Sequence, residues 1–253
     1  MQTVRSLIYD VLQTVITIGM LLLLWVLLIV PWPAMLWVIS KWAHLLRWLS
    51  RWVVGLDVRV RGFDKVPEGP VVIASKHQSA WDTAVFLLFW PRACYVMKKE
   101  LWSIPFWGWY ARHCQTVPVD RSGGASALRK MLSVVQQRLA EGRQIIVFPE
   151  GTRVAPGDDR KYHPGIAAIY QAADVPVVPV ALNSGLFWGR RSLGFKHSGA
   201  ITVEFRDPIP PGLDRKAFME RLKTEIDGAT HRLESEARAE FPSLPGPGPD
   251  ENT

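Results

Sequence analysis

VVIASKHQSAWD, residues 71–82, holds the transition on which the fold turns. A short apolar run rich in β-branched residues reads as a buried strand over 71–75, and Ser79 opens a helix that runs to Trp90. His77 stands where the strand ends, which in an open α/β sheet is where ligands collect. With the helix beginning near Ser79, Asp82 faces back over its first turn and reaches His77. A carboxylate on one imidazole nitrogen fixes the tautomer and leaves the other nitrogen as a base. Capping of a helix start by Ser and Asp gives the same pattern without chemistry, so the pair alone does not decide.

Outward from this stretch, strands and helices keep alternating. Strands are expected over 58–60, 94–97, 115–119, 144–148, 175–183 and 200–205, and helices over 124–140, 166–173 and 218–240. That alternation argues for an α/β sheet with helices on its faces. The chain divides into residues 1–54, a body over 55–240 and a Pro/Gly-rich tail over 241–253 (FPSLPGPGPDENT) expected to be unstructured.

The first part is of another kind. VLQTVITIGMLLLLWVLLIV, residues 11–30, carries no charge and matches the roughly twenty apolar residues that cross a bilayer core. A cleaved signal peptide is the competing reading, but the run is too long for an h-region and Asp10 interrupts the n-region. Pro31-Trp32-Pro33 breaks the helix. Over 34–54, Lys41, His44, Arg47 and Arg51 recur on one helical face, with Trp42, Leu45, Leu46, Leu49 and Trp52 on the other. A basic, Trp-rich amphipathic helix lies among lipid headgroups; a second span with its charges facing the protein is the alternative. Such a membrane hairpin puts Met1 and the body on one side, and the basic residues after the turn make that side cytoplasmic.

With 253 residues, 48% of them hydrophobic, the chain can bury a core and is not disordered. Thirty Lys+Arg against 23 Asp+Glu suit anionic partners, whether lipid headgroups, phosphorylated substrates or nucleic acid. Cys94 and Cys114 cannot make a disulfide framework and fit a reducing cytosolic face.

Three further blocks sit at strand ends. VFPEGTR (147–153) runs a strand into a glycine turn with exposed N–H groups and an arginine fork behind it, a phosphate seat or an ordinary turn. VPVDR (117–121) supplies another arginine. VPVVPVALNSG (175–185) is sheet core whose Asn183-Ser184-Gly185 end is either a site wall or a turn.

These four blocks, in this order and spacing, resemble the glycerolipid acyltransferase superfamily, which includes the 1-acyl-sn-glycerol-3-phosphate acyltransferases, over about residues 58–233. The resemblance implies a mixed, mostly parallel sheet flanked by helices and preceded by a hydrophobic two-helix membrane hairpin. The family's H-x-x-x-x-D motif makes His77 the base and Asp82 its orienter. Its F-P-E-G-T-R block places Glu150, Gly151, Thr152 and Arg153 against the acceptor's phosphate, and its D/N-R block adds Asp120 and Arg121. A Lys-Lys-Glu-Leu stretch common in the family is here Lys98–Leu101, adding Lys98 and Lys99 as phosphate partners. One position departs: Lys76 stands where many members have asparagine, a cation expected to act on His77 or on the phosphate.

No G-x-S-x-G elbow or Cys–His spacing is present, so no covalent acyl-enzyme is expected. Nucleotide-binding glycine loops are missing too. His113, His163, His197 and His231 lack metal-ligand spacing and read as surface or structural residues; no metal and no cofactor is expected. Trp102, Trp107 and Trp109 read as core or interface, and Arg129, Lys130 and Arg138 are too few for a nucleic-acid surface. The resemblance implies transfer of an acyl chain from acyl-CoA or acyl-carrier protein to the sn-2 hydroxyl of lysophosphatidic acid, at the cytoplasmic face of a membrane. The same transfer to another lysolipid, such as a lyso-ornithine lipid, and a non-catalytic membrane scaffold are the alternatives.

Overall fold

Val72–Ser75 is buried along its whole length, as a central strand of a parallel sheet covered on both faces must be. The computed structural model describes residues 1–246. In chain order they form α1 (Gln2–Leu27), α2 (Trp32–Leu49), β1 (Leu56–Arg61), β2 (Val72–Ser75), α3 (Asp82–Phe89), β3 (Cys94–Lys98) and α4 (Trp107–His113). Then follow β4 (Val117–Val119), α5 (Gly124–Ala140), β5 (Ile145–Val147), α6 (Gly165–Ala173), β6 (Val177–Leu182), α7 (Ser184–Phe187), β7 (Gly199–Phe205) and α8 (Arg215–Glu240).

The strands make one sheet in the order β1-β7-β6-β2-β5-β3-β4. Every neighbouring pair is parallel except β6–β7, the mixed, mostly parallel sheet expected. Side chains alternate across it. Ile73, Ile146 and Val178 face α3 and the hairpin, whereas Val72, Ala74 and Val147 face α5, α6 and α8. From β2 the chain passes through α3 to β3 on one side, and from β5 through α6 to β6 on the other. The connections therefore diverge at the β2–β5 pair, which makes the crevice above it the place where an open α/β sheet binds ligands.

The hairpin lies along the body and is tied to it at both ends. Near its base the Gln2 amide donates to the Val54 and Lys196 carbonyls, and Asp10 pairs with the buried Lys196 ammonium. At its tip Tyr110 donates to the Leu21 carbonyl at 2.6 Å, His113 Nε2 meets the Val30 carbonyl, and Trp32 lies under the Arg143 guanidinium at 4.5 Å. In between, Ser40 donates to the Leu87 carbonyl on α3. α1 has one window, Gln2–Leu23, long and apolar enough to cross a bilayer, yet it does not stand away from the body as an isolated span does.

The two-faced reading of α2 is corrected. Leu46 and Leu49 turn inward with Met35, Leu36 and Ala43, because the body rather than lipid covers that face. Cations and tryptophans then share the outward face: Lys41 sits 5.2 Å from the Trp37 ring and Arg51 5.9 Å from the Trp52 ring, with Trp48 and Leu45 exposed beside them. Arg47 and Arg51 both pair with Asp57, at 3.4 and 3.2 Å. The expected unstructured tail also begins late. Phe241 packs edge-on against Phe187 and Leu244 is buried, so apolar contacts outweigh the Pro/Gly composition there; residues 247–253 lie outside the described part.

Candidate active site

The helix expected from Ser79 starts three residues later, at Asp82, because Asp82 uses its carboxylate to hold the preceding loop. Its Oδ2 accepts from the Gln78 and Ser79 backbone N–H groups and meets His77 Nδ1 at 3.0 Å; its Oδ1 accepts from the Ser79 and Ser184 hydroxyls. Five donors thus fix a fully buried carboxylate, and one of them is the imidazole. With Nδ1 bonded, Nε2 is the nitrogen left for chemistry. The ring stacks on Phe148 at 4.1 Å and borders the cavity. Ser184, left open between site wall and turn, belongs to the site.

The two main blocks lock together through the backbone of His77. Its N–H donates to Glu150 Oε2 at 2.9 Å and its carbonyl accepts from Val154 N–H at 2.8 Å. Glu150 is therefore corrected as a substrate-binding candidate: it is fully buried and lies beneath the loop, outside the cavity lining. Its other oxygen lies 2.7 Å from Lys76 Nζ, which also meets Asp227 at 3.1 Å. Lys76, too, departs from expectation, pointing into the interior instead of at His77 or a phosphate. Burial pulls the Lys76 pKa down, but Glu150 and Asp227 more than offset this and leave it raised; burial raises that of Glu150 despite the lysine.

Lys98, Arg121, Gly151, Thr152 and Arg153 do come together with His77 around one cavity of 1940 Å³. Typical small-molecule pockets hold about 300–1,000 Å³, so this one has room for a lipid chain beside a second substrate. Arg121 donates to the Gly151 carbonyl at 3.1 Å, and Arg153 to the Arg190 carbonyl. Gly151 adopts φ +63°, a left-handed conformation that favours glycine, and Arg121 Nη2 comes so near that an added Cβ would displace the guanidinium. Lys99 reaches Asp120 at 3.0 Å and does not line the cavity. The Ser122 hydroxyl, and after it Lys99, pull the Asp120 carboxyl down to about 2.

Among the described residues the charged cavity lining is wholly cationic: Arg47, Lys98, Arg121, Arg153, Arg190, Arg191 and Arg215, with His77 and His163 and no carboxylate. Sequence reading missed His163, whose spacing gave no signal. It lies beside Gly151, and its pKa is lowered by burial first and then by Arg121, Arg160 and Lys98. Such crowded positive charge suits an anion. Burial pushes the Cys94 and Cys114 thiols up to about 11 and about 12, so neither is a thiolate nucleophile at neutral pH. No group of His, Cys, Asp and Glu able to hold a metal ion occurs among the described residues.

The acyltransferase family profile matches residues 57–183. A 1-acyl-sn-glycerol-3-phosphate acyltransferase of Pseudomonas aeruginosa is 33% identical over 204 residues, 81% of this chain and 77% of that one. The human alpha enzyme of the same name is 28% identical over 78% of this chain and 72% of its own. The crystal structure of the Thermotoga maritima 1-acyl-sn-glycerophosphate acyltransferase superposes with a TM-score of 0.69 over 94% of this chain and 98% of that one. At 22% identity this last is a likeness of fold.

Proposed function

The chain belongs to the acyltransferase family, and from that premise we propose that it moves an acyl chain from acyl-CoA or acyl-carrier protein to the sn-2 hydroxyl of 1-acylglycerol-3-phosphate. The observation that carries the reading is an imidazole held through Nδ1 by a saturated buried carboxylate, at the edge of a large cavity with only cationic charges. His77 Nε2 takes the proton of the acceptor hydroxyl as that oxygen attacks the thioester carbonyl. Asp82 keeps the imidazole in register and stabilises the imidazolium. The C–S bond then breaks, and the departing thiolate takes the proton back from Nε2. Lys98, Arg121 and Arg153 hold the phosphate so that the hydroxyl lies against His77, and fixing two substrates in one site supplies several kcal/mol of the barrier reduction. A lyso-ornithine lipid brings a carboxylate and an amine in place of a phosphate dianion and fits an all-cationic lining less well.

The outward stripe of α1 (Val4, Leu7, Val11, Val15, Ile18 and Leu22) and the Trp/Lys/Arg face of α2 seat the protein on the cytoplasmic face of a membrane. Replacing Trp37, Trp48 and Trp52 together by alanine should lower binding to lipid vesicles. Undiminished binding would argue that this face does not meet lipid.

The phosphate assignment is tested with two proteins and two acceptors. Arg153→Ala should raise KM for the phosphate-bearing lysolipid about 10- to 100-fold, the worth of a charge-assisted hydrogen bond, with little change for the acyl donor. Arg153→Lys should also be impaired, because it keeps the charge and loses the fork. With an acceptor lacking phosphate the substitution should cost little more. Additive losses would mean that Arg153 does not touch the phosphate.

A further inference from the structure

The acceptor's phosphate engages Lys98, Arg121 and Arg153, and the cavity lining holds more cations than these. Arg47 is paired with Asp57, and Arg215 stands alone at the start of α8. Arg190 and Arg191 are different: they are adjacent, they lie on the loop between α7 and β7, and both are exposed. Neither guanidinium meets a carboxylate among the described residues, where the loop's one ion pair is that of Lys196 with Asp10.

The loop is fixed along its backbone. Trp188 and Lys196 form an antiparallel bridge at its base. Gly194 N–H donates to Asp10 Oδ2 at 2.8 Å, and Lys196 is fully buried against the Tyr9 and Trp188 rings. The carbonyls of both arginines are taken as well. That of Arg190 accepts from the Arg153 guanidinium, and that of Arg191 from Trp188 Nε1 at 3.1 Å. What the loop leaves free is the two guanidinium forks. Neighbouring cations without a counter-charge repel each other, and a phosphate bound by both offsets that repulsion.

Two phosphates enter an acyl-transfer site of this kind. The acceptor's lies a few bonds from its hydroxyl. The donor's ends the pantetheine arm that acyl-CoA and acyl-carrier protein share, many bonds from the thioester. The contacts in the protein follow the same order. Val154 N–H bonds the His77 carbonyl at 2.8 Å, which keeps Arg153 next to the base; Arg190 follows, reached through the Arg153 guanidinium, on the exposed side. We infer that Arg190 and Arg191 bind the phosphate at the end of the donor's pantetheine arm, a second anion site beside the one Arg153 serves. The inference rests on reading the cavity as the acyl-transfer site.

Purified full-length protein and the double variant Arg190→Gln, Arg191→Gln are given the same acyl chain on phosphopantetheine and on pantetheine, donors that differ by a single phosphate. The kcat/KM ratio favouring the phosphate-bearing donor should fall about 3- to 30-fold in the variant, as loss of two water-screened charge pairs implies, while KM for the lysolipid stays the same. Measured against acyl-pantetheine, acyl-CoA and acyl-carrier protein should show the same loss, and a loss confined to one of them names the carrier. Both side chains are exposed and unbonded, so the melting temperature should not move. An unchanged donor ratio in an active variant overturns the inference alone. A raised KM for the lysolipid at an unchanged ratio would give the pair to the acceptor's phosphate, and weaker binding to anionic vesicles at an unchanged ratio would give it to lipid headgroups; either overturns the inference. No turnover by the unmodified protein with any donor would overturn it together with the acyl-transfer reading.

Discussion

His77→Ala should abolish measurable transfer while the protein stays folded. Removing a general base costs about 10²–10⁴-fold in rate. The side chain borders the cavity, and its backbone, not its ring, carries the bonds to Glu150 and Val154 that join the two loops. Those bonds survive truncation, so the melting temperature and KM for the acceptor should move little while kcat collapses. Asp82→Asn should lower kcat by a similar order. An amide nitrogen would have to face some of the donors that the carboxylate now accepts, and the imidazole would lose the acceptor that fixes its tautomer. Near-normal turnover by a folded His77→Ala protein would remove the base from the account.

The largest expected loss of stability comes from Lys76→Met. The ammonium lies between the Glu150 and Asp227 carboxylates and is 2% exposed. Without it Glu150 loses its only cation while Asp227 keeps Lys223 at 2.6 Å, and breaking a buried pair in this way costs about 3–5 kcal/mol. For a chain of this size that lowers Tm by roughly 6–20 °C. Adding Glu150→Gln and Asp227→Asn to the same protein should restore much of the loss, because no buried carboxylate is then left without its cation and Lys223 keeps Asp159 at 2.5 Å. Thermal melts of the three-position variant and the single variant decide the point. A Tm unchanged by Lys76→Met would show that the lysine is dispensable to the interior.

Much of this arrangement was legible in the sequence because strand period and helix period are local properties. α5 runs over the residues its apolar spacing marks, and β2, β5 and β6 differ from expectation only at their ends. The pairing of His77 with Asp82 was legible for the same reason, since five residues of separation leave few geometries. What could not be read depends on partners distant in the chain. Glu150 looks like a site residue from its motif, but Lys76, 74 residues away and itself paired with Asp227, holds it inside. α2 looks two-faced until the body covers its leucine side. Ser184 joins the site only because β6 lies beside β2 in the sheet, and His163 only because its loop returns to the Pro149 carbonyl.

The central claim is transfer of an acyl chain to the sn-2 hydroxyl of a phosphate-bearing lysolipid with no chain held on the protein. The most direct measurement follows a labelled acyl thioester with purified protein, counting released thiol and locating the label. The account predicts that thiol release requires the acceptor, that one thiol appears per molecule of phosphatidic acid, and that all transferred label is at sn-2. Thiol release at the same rate without acceptor, label retained on the protein, or label at another position would contradict it.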